Sequence, residues 1–143
     1  MPLGELNDEQ RLHRRRYAAA MDFINYEGHF NNAMQQLHRF YAQPLREEAI
    51  YSREKILDES EVDQIFLHLG TVRKISESLL RALEDCRQDI LDAMTDDRTM
   101  AKWTIGNTLS HYLHNFLSYE DYFVHYSASV VRSRLFLFLL KQF

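Results

Sequence analysis

Prolines, glycines and cysteines are scarce in this chain. Two prolines and four glycines among 143 residues leave few places where a helix must stop, because these are the residues that most strongly disfavour helical geometry. Cys86 is the only cysteine, so an internal disulfide is excluded and a reducing compartment fits best. The residue reads as a small buried or half-buried hydrophobe. An excess of positive charge is also missing. A formal net charge of -4 gives no whole-chain case for nucleic acid. The one basic run, Arg14-Arg15-Arg16, reads as a solvated helix face, with phosphate or anionic lipid contact as the alternative. No long apolar run is present: the longest, Leu135 to Leu140, falls far short of the roughly 20 residues that span a bilayer. Met1 to Gln10 carries acids and no apolar run, unlike a signal peptide. A cytoplasmic protein with no transmembrane segment and no nucleic-acid partner is expected.

What is present is hydrophobic content of 45%, including 13% aromatic residues, enough to bury one core at this length. It is arranged with helical period. Between about Glu9 and Tyr41, Phe23, Phe30, Met34, Leu37 and Tyr41 recur at steps of three, four and seven. Pro44 is expected to end this helix, since the residue before a proline is biased away from helical geometry. Residues 46–59 read as a charged connection with at most a helical turn around Glu47-Glu48-Ala49. Asp58 then precedes Glu61 with capping-box spacing. Val62, Ile65, Phe66, Leu69, Val72, Leu79, Leu83, Cys86, Ile90 and Met94 mark one face of a second long helix. Gly70 lies inside it, at a cost of about 1 kcal/mol relative to Ala.

Thr95-Asp96-Asp97 offers poor helix formers and good caps, and a third periodic segment follows through Met100, Ile105, Leu109, Tyr112, Leu113, Phe116, Phe123 and Tyr126. Three long helices with short links can bury their stripes only against one another. The fold expected is therefore all-α, an elongated bundle of long antiparallel helices, the first about 50 Å long at 1.5 Å per residue. The chain divides into a flexible N-terminus (residues 1–8), a helical bundle (9–130) and an apolar C-terminal segment (131–143). The last segment, Arg134-Leu135-Phe136-Leu137-Phe138-Leu139-Leu140, must be buried by something or favours self-association.

Few residues point to covalent chemistry. His111 and His114 could share a helix face, but a zinc site needs three or four converging ligands and spacing supplies no third. No Gly-rich phosphate loop, nucleotide fingerprint or strained nucleophile turn is present, so no cofactor and no metal are expected. Glu27 stands apart. At the helical spacings where it would seek an ion pair it meets Phe23, Ile24, Phe30 and Asn31, none of them basic. The acid is either simply solvated or held free for a partner from outside the chain.

Several segments together resemble the Dbl-homology domains, the exchange factors for Rho-family GTPases. The N-terminal helix carries an acid (Glu27), an aromatic three residues later (Phe30) and the ending Phe40-Tyr41-Ala42-Gln43-Pro44-Leu45, with one residue more before Pro than many members have. Gln64-Ile65-Phe66-Leu67-His68-Leu69 with Leu79-Leu80-Arg81-Ala82-Leu83-Glu84 is similar to the family's Ile-Phe segment and Leu-Leu pair. Ile105-Gly106, Phe116-Leu117-Ser118-Tyr119-Glu120-Asp121-Tyr122 and His125-Tyr126-Ser127 are similar to its later, tyrosine-rich helix. Tyr26 stands where a Thr is usual, Phe30 for the more frequent Tyr, and Asn31 for an aliphatic residue.

The resemblance implies a helical bundle that binds a Rho-family small GTPase side-on, prises its switch regions from magnesium and nucleotide, and releases GDP. Such a chain is a GTPase regulator without covalent chemistry. Glu27, Phe23 and Asn31 are the GTPase-binding residues it implies, with Glu27 toward the first switch. The family's third conserved region, a long basic helix, has no counterpart here, so a shortened and inactive form is the expectation beside an active one. A non-catalytic interaction module, self-associating through its apolar C-terminal segment, is the alternative.

Overall fold

The computed structural model describes residues 7–95 and 105–140, and every described element is helical. Helix α1 (Asp8–Leu37) opens on a capping box in which the Asn7 side chain accepts from the Gln10 backbone N–H at 2.8 Å and Gln10 returns the bond at 3.0 Å. Arg14, Arg15 and Arg16 lie exposed along it, as a solvated face should.

Pro44 does not end this helix. The backbone widens into a π-helical turn (His38–Ala42), in which the Gln43 N–H reaches five residues back to the His38 carbonyl, and continues as α2 (Gln43–Tyr51). Pro44 therefore falls in the first turn of α2, where its missing N–H removes no required bond. Gln43 stays helical at φ -66 and ψ -50, against the usual bias before proline. The first part of the expected connection, residues 46–51, is thus helix, and residues 52–58 link it to the next element.

The capping box at Asp58 forms as its spacing predicts, with Asp58 Oδ1 accepting from the Glu61 N–H at 2.8 Å and Glu61 Oε2 from the Asp58 N–H at 2.9 Å. The helix it starts, α3 (Glu59–Ile65), is short. The long second helix expected from the stripe is broken at Phe66 to His68, where His68 adopts φ 65, before α4 (Leu69–Thr95) begins. Gly70 lies beyond the break, in the first turn of α4. The stripe could not reveal this break because its two halves bury against different neighbours. Val62 packs with Ala49 and Leu57 beneath α2, whereas Leu69 and Val72 pack with Met34, Ala42 and Tyr122.

The expected break at Asp96-Asp97 and the start of the third segment at Met100 lie outside the described residues. The remainder is two helices, α5 (Ile105–Tyr112) and α6 (Phe116–Leu140), joined by a 3-10 turn (Leu113–Asn115). The backbone of α6 runs unbroken past residue 130, through the apolar segment expected to stand apart.

Packing shows how the helices run. Ala20 and Ile24 of α1 meet Leu79, Leu83 and Ile90 of α4, while Met34, further along α1, meets Leu69 and Val72 at the start of α4. The two helices are therefore antiparallel. Phe116 of α6 packs at the first group and Tyr119 and Tyr122 at the second, so α6 runs antiparallel to α4. An all-α bundle results, and no described helix is long and apolar enough to cross a membrane. Leu83 is fully buried, and Leu83→Ala should lower stability by about 2–5 kcal/mol. Asp58→Ala should lower it by about 1 kcal/mol through loss of the cap. Urea midpoints at constant m-value measure both.

Candidate functional site

The α4 stripe that faces α1 is apolar except at one position. Ser76, between Val72 and Leu79, is completely buried and is the one buried polar side chain among the described residues. A hydroxyl removed from water needs partners, and α1 supplies them. Ser76 Oγ donates to Glu27 Oε1 at 2.6 Å and accepts from Asn31 Nδ2 at 3.2 Å. Glu27 and Asn31 are four residues apart, so both lie on the face of α1 that crosses Ser76.

A third helix closes the group. The Tyr119 hydroxyl of α6 donates to the same Glu27 Oε1 at 3.2 Å. Its ring stacks on Phe30 with centroids 5.5 Å apart and meets Phe116 edge-on at 5.7 Å. Burial, and next the charge of Glu27, push the Tyr119 hydroxyl well above its ordinary pKa of 10.0. The phenol therefore stays a hydrogen-bond donor throughout the neutral range.

Glu27 is thus half-buried and makes no ion pair among the described residues, as its neighbours in sequence foretell. It is not free, however. Two hydroxyls from two other helices fix one of its oxygens, and no hydrogen bond reaches Oε2 among the described residues. The carboxylate is oriented by the bundle, with one oxygen left for something else. Sequence reasoning missed Ser76 and the role of Tyr119. A usable signal existed for the first: a serine at a position where the helical stripe calls for an apolar residue.

Phe23 lies one turn before Glu27, where it is 39% exposed and lines an open apolar groove of about 440 Å³ with Arg16, Ala19, Ala20, Ile105 and Leu109. Phe23, Glu27 and Asn31 form one ridge of α1, but only the last two share the hydrogen-bonded group. The other candidates lie apart from this group. His111 ends in α5 and His114 in the 3-10 turn, both exposed, and no cluster of metal-ligating side chains occurs among the described residues. Cys86 is buried, with its sulfur 3.1 Å from Thr108 Oγ1.

Ser76→Ala deprives Asn31 of its acceptor and Glu27 of its shorter bond, and should cost about 1–3 kcal/mol in a urea titration. Tyr119 also makes stability depend on alkaline pH. Its folded pKa lies above its unfolded one, so its contribution is complete below about pH 10 and is lost as the pH rises from there toward the folded value. Tyr122, raised in the same direction by burial, adds to this. Tyr119→Phe should therefore lose less stability than the wild type between about pH 9 and pH 11, followed by urea midpoints across that range.

Residues 19–133 match the family model of the RhoGEF domain. Comparisons with curated protein sequences and with solved structures returned no match. The matched segment takes in the Glu27 ridge of α1, the whole of α4 with Ser76, and Tyr119 of α6. The chain belongs to the RhoGEF, or Dbl-homology, family.

Proposed function

We propose that this chain binds a Rho-family small GTPase through the α1 ridge carrying Phe23, Glu27 and Asn31, and promotes the release of GDP. The observation that carries this reading is the oriented carboxylate of Glu27, taken with family membership. An acid clamped at one oxygen by Ser76 and Tyr119 loses little conformational freedom when its other oxygen meets a donor on a partner, and such preorganisation lowers the cost of binding. Phe23 adds exposed aromatic surface beside it, which suits a protein interface.

Exchange of this kind has no covalent step. A GTPase held in the conformation that has lost its nucleotide releases GDP faster because the exchange factor binds that state more tightly than the GDP-bound state. Which GTPase is the partner depends on contacts beyond these three residues. The alternative reading is a non-catalytic interaction module that binds partners, or its own copies through the apolar C-terminal segment, without nucleotide exchange.

Glu27→Gln separates the local structural role from the functional one. The amide keeps an oxygen for Ser76 and Tyr119 to donate to, so the melting temperature should stay within a few degrees of the wild type, whereas Glu27→Ala strands the buried Ser76 hydroxyl and destabilises the fold. Loss of the charge should weaken GTPase binding and GDP release by at least about tenfold. Release of fluorescent GDP from a panel of Rho-family GTPases gives the measurement. Full activity in Glu27→Gln would remove Glu27 from the interface, and binding without accelerated release would favour the interaction module.

A further inference from the structure

We propose that the outward face of the first turns of α1, carrying Arg11, Arg14, Arg15 and Leu12, docks on a bilayer surface that contains anionic lipid. With Arg16, the arginines of residues 11–16 are all exposed, and none makes an ion pair among the described residues. On α4, by contrast, Arg81 and Arg87 are held by Glu77 and Glu84 one turn earlier, each at 2.8 Å, which is how a solvated helix face usually disposes its charge. The run on α1 has no such partner. From Gln10 to Met21 the sequence holds no acid, and Asp8 and Glu9 in the first turn pair with none of these arginines.

Helix stability does not account for this placement. Arg11 repels Arg14 and Arg15 at the spacings of three and four residues, and cations near the N-terminus of a helix oppose its dipole. Core packing does not require it either. Ala20 and Ile24, which meet α4, follow Arg11 and Arg15 by about two and a half turns and so lie on the far side of the helix. Arg11, Arg14 and Arg15 fall within an arc of about 100°. Leu12, 48% exposed, stands at its edge.

Charge and shape select the occupant. Unpaired cations attract any polyanion, but from Arg11 to Arg16 the patch spans only about 8 Å of helix, which matches about two phosphates of one nucleic-acid strand. The chain as a whole carries a net charge of -4, which opposes a longer track. A bilayer presents its anionic headgroups in two dimensions over an apolar layer, so it can meet the arginines of the arc and Leu12 at once. Glu27 stands about 120° round the helix from Arg15 and about 18 Å further along. Docking therefore leaves it accessible.

Flotation of the full chain with vesicles on a density gradient tests this, because protein aggregates do not float. Vesicles of phosphatidylcholine with about one-third phosphatidylserine should carry at least about tenfold more chain than phosphatidylcholine alone. Raising the salt from about 0.1 M to about 1 M should remove most of that difference. Arg14→Glu with Arg15→Glu should bring binding down to the level of phosphatidylcholine alone, whereas Arg53→Glu with Lys55→Glu, an equal change of charge at exposed positions elsewhere, should leave at least about half of it. Leu12→Ser should weaken binding about threefold and leave its salt dependence intact. Circular dichroism confirms that each variant is folded, and if the Arg14 and Arg15 variant is not, Arg11→Gln with Arg15→Gln takes its place with an expected loss of about fivefold. Equal flotation with both kinds of vesicle, binding that survives the changes to these arginines, or an equal loss from the change at Arg53 and Lys55 would each overturn the proposal. So would a DNA duplex that binds the chain more tightly than the vesicles at the same salt and phosphate concentration.

Discussion

The antiparallel seam between α1 and α4 is the constraint on which the rest of this molecule depends. Ile24 from one side and Leu79, Leu83 and Ile90 from the other are all but inaccessible to solvent, and burial of that kind stabilises by roughly 1.5–3 kcal/mol per side chain. Helices α5 and α6 take their positions from this pair. α5 supplies Ile105, Leu109 and Tyr112 to one end of the seam, and α6 crosses it with Phe116, Tyr119 and Tyr122. α2 and α3 form a smaller group of their own around Ala49, Leu57 and Val62.

One polar group sits inside the seam, and the candidate site grows from it. A serine hydroxyl without water must find an acceptor, and the acceptor here is a carboxylate that also takes a bond from Tyr119. The demands of the core therefore orient the acid. The same oxygen cannot serve both a partner and Ser76 equally well, which is why the division between Oε1 and Oε2 matters. The fold keeps one oxygen and leaves the other. An acid that was merely solvated would have to be ordered on binding, at a cost in side-chain entropy.

Two of the irregular points in the helices redirect the chain by different means. At His38 to Ala42 the π-helical turn allows a proline without a chain reversal, so Phe40 and Tyr41 project outward, each 60% exposed, while Ala42 is buried. At His68 a left-handed residue redirects the chain so that α3 and α4 serve different parts of the core. Its ring then lies 5.4 Å from that of His125 on α6. Neither feature costs a core side chain, since the large apolar residues on both sides still reach their neighbours.

Much was legible in the sequence alone. Helical period, the scarcity of glycine and proline, and the Asp58–Glu61 spacing determine an all-helical chain, its principal stripes and one helix start, because each depends on residues within a turn or two of one another. The lack of a basic neighbour for Glu27 likewise foretold that its own helix offers no ion pair. Tertiary structure decided the rest. Whether Pro44 ends a helix or Phe66 to His68 breaks one depends on which neighbour each stripe buries against. Whether Glu27 is free depends on a serine 49 residues away and a tyrosine 92 residues away. Hydrogen bonds across such separations form only when the packed helices bring their partners together, so local spacing records the helix that holds the carboxylate and not the hydroxyls that aim it.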